Sequence, residues 1–430
     1  MAIKRLLTFV LCGALLPCLA VADQHEDAMA RVKKVLSNTP LIDGHNDLPW
    51  QYRGRVDNKI SQMDIADDLT TLERPTHTDL ARLRTGMVGG QFWSVYIPID
   101  EYGGRAGDTA DVLKQIDVVY RLAETYPDDL EMAFTADDVR RIHKKGKIAS
   151  MIGMEGGHAI ENSLGVLRML YKVGARYMTL THSDALAWAD SATDEHRHGG
   201  LTEFGKEVVR EMNRLGMLVD LSHVTEEVMH DALDVAEAPV IFSHSSARTL
   251  VGHTRNVPDS VLDRMPENGG VVMVTFFPSY ISEELRQFWL ARSGERARLN
   301  AIYPYDKATA DEMFDKWLEA NPAPKSTLMQ VADHIDYIKE RIGVEYIGLG
   351  GDYDGMPPGP EGLEDVAGYP NLFVELIHRG YSDRELAAIA GGNALRAMEG
   401  AEKAAKRIQK QRGPSEAIIE DYENEVAARD

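Results

Sequence analysis

Cysteine is nearly absent from this chain: there are two in 430 residues, Cys12 and Cys18, both within the first 22 positions. Once those positions are removed no disulfide can form, so stability must come from elsewhere, packing first. Positive charge is also scarce, with 47 Lys and Arg against 68 Asp and Glu and a formal net charge of −21. That balance excludes nucleic acid and an anionic membrane surface as main partners, because both require basic patches. The C-terminal stretch EAIIEDYENEVAARD is acidic, with neither a membrane span nor the hydrophobic tail of a lipid-anchor signal. Also missing is a G-x-G-x-x-G turn after the first strand-like segment, which argues against an open dinucleotide-binding sheet. No internal repeat and no low-complexity linker divides the chain, so a single domain is expected over residues 23–430.

What is present begins with an export signal. Lys4 and Arg5 precede an apolar run over residues 6–19, and Ala20-Val21-Ala22 closes it before Asp23. Cleavage near Ala22 would leave a periplasmic or secreted protein. The rival reading, a lipoprotein signal ending at Cys18, has Pro17 where a small residue belongs. Beyond residue 40, short apolar runs alternate with amphipathic ones. Strands are predicted at 41–45, 87–98, 147–155, 175–182, 217–223, 239–244, 270–277 and 346–352. Helices are predicted at 26–37, 108–125, 136–145, 160–173, 202–215, 224–236, 257–267, 326–342, 371–379 and 383–398. Eight nearly continuous apolar strands separated by helices read as a parallel sheet buried on both faces and closed into an α/β (β/α)₈ TIM barrel. Residues 278–324 are too long for a plain connection and read as a helical insertion after the seventh strand, either a lid or an oligomer contact.

The active site of such a barrel is built at the C-terminal ends of its strands. LIDGHNDLPW, residues 41–50, places His45 and Asp47 two apart where an apolar run ends, so their side chains share one side of a strand and can grip one cation. Later strand ends bring Glu155, His182, His223, His244, and the pair Asp352 and Asp354. Histidine numbers only 14 in the chain, so four at strand ends exceeds scatter, and their convergence with carboxylates points to metal. Imidazole and carboxylate without thiolate suit zinc first, then manganese, cobalt or iron. His45, Asp47, Glu155, His223 and His244 are too many ligands for one catalytic zinc, so two metals sharing a bridging carboxylate are expected. A pair of this kind acidifies a shared water and polarises a carbonyl.

DGHND at 43–47, GMEGGH at 153–158, LTHSDALAWADS at 180–191, LVDLSHV at 218–224, IFSHSSAR at 241–248, RNVPD at 255–259 and GLGGDYDG at 348–355 together resemble the membrane (renal) dipeptidase family, peptidase family M19, a branch of the amidohydrolase superfamily. The likeness is co-linear from about residue 30 to 400. It implies that His45 and Asp47 bind one Zn²⁺ and His223 and His244 the other, with Glu155 bridging them. It further implies that His182 and Arg255 contact a dipeptide substrate and that the GGDYDG motif holds the catalytic aspartate. Asp352 is the choice nearer the strand and would shuttle the proton, while Asp354 shares its parity and stays open. His182 would donate to the oxyanion, and Arg255 would clamp a free carboxylate. From the residues alone, a surface salt bridge is the reading for Arg255.

The function implied is an exported zinc dipeptidase of the membrane dipeptidase type, with L-Xaa-D-Xaa peptides among its substrates. The other readings are N-acyl-amino-acid deacylation or lactone opening on the same metals, and a non-enzymatic metal- or peptide-binding receptor, which would not need Asp352. Lacking mature cysteines and an anchor signal, the chain departs from mammalian relatives and leaves only a non-covalent homodimer open. Asp43 reads as a support for the ligands, and Gly156-Gly157 as a close backbone approach or a plain turn. His196 and His198 read as solvated, Trp188 and Tyr353 as pocket lining or packing, and His158 has no assignment.

Overall fold

The computed structural model describes residues 16–99 and 108–422. Most of the predicted export signal lies outside the described residues, and the helix Leu16–Asn38 starts before the predicted cleavage point. Strand β1 (Leu41–Asn46) is followed by β2 (Val88–Ser94), β3 (Leu130–Met132), β4 (Ile148–Glu155), β5 (Ala175–Thr179), β6 (Leu218–Asp220), β7 (Ile241–Phe242), β8 (Val271–Val274) and β9 (Ile347–Leu349). Eight of these close into a barrel, because β1 pairs in parallel with both β2 and β9, and β2 pairs in turn with β4. The short β3, not anticipated from the sequence, pairs with the start of β4 from outside the ring. Its pattern is too brief to register as a strand.

Apolar runs became strands because both faces are covered; β1, β2 and β4 are buried along their whole lengths. Helices start where a Ser or Thr hydroxyl can accept a backbone N–H. Thr135, Ser163, Thr202, Thr225 and Ser282 each cap a helix in this way. One such cap is worth about 1 kcal/mol. The predicted helix at 257–267 is instead two short ones, Asp259–Leu262 and Met265–Asn268, because Pro266 has no N–H to donate to the carbonyl of Leu262 four residues before it. The C-terminal helix Asn393–Ile408 shares a buried cluster with Ile42, Met151, Tyr177 and Met273 of the barrel interior.

The insertion after β8 is a helical hairpin. Pro278–Ile281 leads into Glu283–Ile302 and Lys307–Ala320, which enclose a small core of Leu299, Ala310 and Phe314.

Closure of the ring brings β7 and β9 together at one point where no side chain fits. A Cβ on Gly350 would stand 1.8 Å from the Ser243 carbonyl oxygen. Replacing Gly350 with alanine is expected to cost about 3 kcal/mol or more, read as a lower urea midpoint; an unchanged midpoint would contradict this packing.

Candidate metal centre and active site

His45 leaves β1 with its ring buried, and Asp47 follows at the start of the helix Leu48–Val56. Asp47 occupies the N-cap position, yet its carboxylate caps nothing. It turns to His45 instead, with Oδ2 at 3.3 Å from Nε2. Glu155, the last residue of β4, faces both sides of the rim. Its Oε2 lies 3.4 Å from His45 Nε2, while Oε1 lies 3.1 Å from His223 Nε2, 3.5 Å from His244 Nε2 and 3.9 Å from His182 Nε2. Three overlapping sets of donor atoms result, each within 4.8 Å: His45, Glu155 and His244; Glu155, His182 and His223; His45, Asp47 and Asp352.

Several of these groups sit on strained backbone. His223 and Asp352 adopt φ of 73° and 63°, as does Asp354 at 67°, a left-handed conformation costing roughly 1–3 kcal/mol at each non-glycine residue. At His223 and Asp352 the left-handed backbone accompanies side chains that line the pocket just after their strands have ended. Gly355 then packs so closely that a Cβ there would stand 2.1 Å from Asp47 Oδ2 and 2.9 Å from Asp352 Oδ1.

The donor chemistry fits metal ions. His223 Nε2 and His244 Nε2 face each other at 2.9 Å. Burial, with Arg255 and His182 in the one case and His45 and Arg255 in the other, holds both rings neutral, well below the usual histidine range. His45 Nε2 is buried without a hydrogen-bond partner. Burial works against ionisation of Glu155, but His45 and His182 prevail and keep its carboxylate charged well below the usual range. Convergent lone pairs and a shared carboxylate suit cations and little else.

The residues behind the ligands set their tautomers. Tyr177 donates its only hydroxyl proton to Gly44 O and so accepts from His45 Nδ1, 2.9 Å away. Ser243 donates to Asp220 Oδ2 at 2.6 Å and accepts from His244 Nδ1 at 2.8 Å. In the neutral form of both rings the proton therefore resides on Nδ1 and the Nε2 lone pair faces the cluster. Asp43 acts as anticipated, its Oδ1 accepting from the backbone N–H groups of His45 and Gly351. Tyr177, Ser243 and Asp220 were not singled out from the sequence. Asp220, an acid within an apolar strand, was the one available signal.

The pocket, about 280 Å³, is lined by Asp47, Glu155, His182, His223, His244, Arg255 and Asp352, joined by Trp50, Tyr96, Phe277 and Tyr280, aromatic residues that no motif marked for the site. His182 packs against the Tyr96 ring at 4.5 Å. Arg255 is 2% exposed, which overturns the surface salt-bridge reading. Its guanidinium lies over Tyr280, interacts with the Tyr280 hydroxyl, and makes long contacts of 3.4 Å to Ser245 Oγ and the His244 carbonyl. Among the described residues no carboxylate pairs with it. Asp352 and Asp354 part company here. Asp352 lines the pocket, and burial, with Asp47 and Glu155 nearby, holds its carboxyl well above the usual range. Asp354 instead accepts from the His77 N–H at 2.7 Å.

The remaining motif residues have structural partners. His158 contacts the Ile97 carbonyl at 3.0 Å, and burial lowers its pKa to about 4. His198, expected in solvent, is half-buried and contacts the Leu186 carbonyl at 2.9 Å, because its loop wraps Asp190; His196 is exposed. Trp188 and Tyr353 are core residues, and a Cβ on Gly157 would strike Trp188.

A closed parallel barrel with a carboxylate shared between imidazole and carboxylate donors at its C-terminal rim is the architecture of the metal-dependent amidohydrolases. Within that class, the chain belongs to the membrane dipeptidase family, peptidase family M19, whose profile matches residues 29–412. The dipeptidase verJ of Clonostachys rogersoniana is 38% identical over 393 residues, covering 89% of this chain and 90% of that one. Among solved structures, the probable dipeptidase PvdM of Pseudomonas aeruginosa superposes with a TM-score of 0.74 at 23% identity, over 88% of this chain and 100% of that one. A metallopeptidase of Rhodobacter sphaeroides, liganded with a phosphinate mimic of the dipeptide L-Ala-D-Ala, superposes with a TM-score of 0.67 at 23% identity, over 85% and 99%.

Two outcomes are expected from zinc titration of metal-stripped protein. Ser243→Ala frees the His244 tautomer and should weaken zinc binding about 10–100-fold, measured by calorimetry against wild type; equal affinity would show that the relay does not act on the ligand. Burial opposes a proton on His45, but Tyr177, Glu155 and Asp47 outweigh it and raise its pKa well above the usual range. A raised pKa means that zinc must displace this proton at pH 7, so affinity should climb as pH rises towards that pKa. Calorimetry in buffers of different ionisation enthalpy reads the proton released.

Proposed function

We propose that this protein is an exported, zinc-dependent dipeptidase cleaving the peptide bond of free dipeptides, L-Xaa-D-Xaa pairs included. The observation that carries this reading is Arg255, a buried guanidinium with no carboxylate ion-paired to it among the described residues, which opens into a pocket lined by candidate metal ligands. A buried unpaired charge is costly, and the free carboxylate of a peptide would complete it. The relatives named as dipeptidases and the L-Ala-D-Ala mimic bound to the Rhodobacter protein support the same substrate class. Export rests on the basic, apolar and small-residue pattern of residues 1–22, with residues 23–430 as one catalytic unit.

In this reading His45 and Asp47 hold one zinc, His223 and His244 the other, and Glu155 serves both. The metals supply Lewis acidity, acidifying a water and polarising the scissile carbonyl. The chain's own residues do the rest. Arg255 fixes the C-terminal carboxylate through its planar fork and so sets the peptide's position. Ser183 Oγ, 3.0 Å from His182 Nδ1, can donate there, which leaves the Nε2–H to stabilise charge developing on the carbonyl oxygen. Asp352, whose environment favours the protonated form, accepts the proton of the attacking water and delivers it to the leaving amine.

The test is hydrolysis of L-L and L-D dipeptides, with N-acylated and C-amidated controls, by metal-stripped protein before and after zinc is added. Zinc-restored cleavage confined to free dipeptides is expected. Arg255→Ala should lower kcat/KM about 100-fold or more, and Asp352→Asn should lower kcat about 10²–10⁴-fold. Inactivity on every free dipeptide at full metal content would refute the reading and favour acylated amino acids or lactones.

A further inference from the structure

The catalytic pocket has a larger neighbour. A cavity of about 850 Å³ lies between the hairpin insertion and the loop after β9. The two cavities share Phe277 and Tyr280, whose rings stack at 4.2 Å and form the boundary between them. Tyr280 also lies 5.5 Å beneath the Arg255 guanidinium. The larger cavity therefore adjoins the end of the catalytic pocket where Arg255 stands, with the shared rings between the two.

Its walls are chiefly apolar. Leu285 and Trp289 come from the insertion, Pro324 from the segment after it, and Pro357 and Pro358 from the loop after β9. The charges at the rim are spent locally: Lys325 pairs with Glu361, and Glu364 accepts the Gly362 N–H at 2.9 Å. The imidazole of His253, stacked on Tyr280 at 4.4 Å, is kept neutral by burial and the nearby arginines, with a pKa lowered to about 4. Nothing here would recruit a charged group, whereas Trp289, 38% exposed, has apolar surface to lose to an occupant. The sizes agree: the catalytic pocket holds about 280 Å³, below the range of roughly 300–1,000 Å³ usual for small-molecule sites, whereas the neighbour falls within it.

We propose that this cavity is a second compartment of the substrate site, receiving a bulky apolar side chain, aromatic or long aliphatic, carried by the residue whose carboxylate Arg255 holds. The proposal rests on the dipeptidase reading for its orientation. A carboxylate on Arg255 directs the side chain of that same residue towards the Phe277–Tyr280 boundary, and the hairpin insertion supplies the far wall. The preferred substrates are then dipeptides with a large apolar C-terminal residue.

The experiment compares kcat/KM for zinc-loaded protein on Ala-Ala, Ala-Leu, Ala-Phe, Ala-Trp and Ala-naphthylalanine, together with calorimetric binding of the same peptides to metal-stripped protein. Wild type should favour the largest side chains over alanine by about 10-fold or more. Ala323→Trp, which fills the cavity from an exposed position, should collapse that ratio towards one, and Trp289→Ala should reduce it by removing a wall. Turnover of every dipeptide without size dependence, or a ratio unmoved by both variants, would overturn the proposal. Absence of all turnover would instead refute the dipeptidase reading, and the calorimetric series would then decide. Affinity rising with side-chain size and lost in Ala323→Trp supports the compartment; equal or absent binding across the series overturns it.

Discussion

The rim of this barrel depends on one carboxylate. Glu155 ends β4 with its two oxygens facing different groups, Oε2 towards His45 and Oε1 towards His223 and His244. A buried carboxylate is costly unless positive charge or hydrogen bonds answer it on every side. Here Ser94 contributes one hydrogen bond, and the other directions are occupied by imidazoles. Moving Glu155 would leave three histidines converging on nothing, so the arrangement of four strands is tied to one side chain.

That arrangement is held from behind as well as from in front. Tyr177, Ser243 and Asp220 fix which imidazole nitrogens carry protons. The left-handed backbone at His223 and Asp352 aims side chains that a regular strand would have turned elsewhere. Strain and tautomer control serve the same end, because both are met once by folding and need not be met again when a ligand arrives. The long contacts of Arg255 extend this logic to its end of the pocket.

Much of this was legible along the chain. The strand rhythm announced a closed barrel, since short apolar runs between helices have few other solutions. Seven motif residues that meet at the rim, His45, Asp47, Glu155, His182, His223, His244 and Asp352, announced their chemistry by identity and by position near strand ends, whereas Arg255, far from any strand end, read locally as a surface salt bridge. Illegible were the groups that support them. Tyr177 sits in β5 as an ordinary core aromatic would, and nothing local distinguishes Ser243 from its neighbours Ser245 and Ser246. β3 escaped notice because three residues carry too little periodicity to register.

By itself, the sequence determined the fold class and the family, because these rest on local patterns: alternation of apolar runs, and residue types at fixed spacing within short motifs. Only the tertiary structure decided between Asp352 and Asp354, two residues apart with the same parity, by turning one into the pocket and the other onto the His77 backbone. It alone buried Arg255 beside the pocket and set Phe277 and Tyr280 between two cavities. Those outcomes depend on which distant segments meet when the barrel closes, and pairwise proximity across hundreds of residues leaves no mark in local spacing.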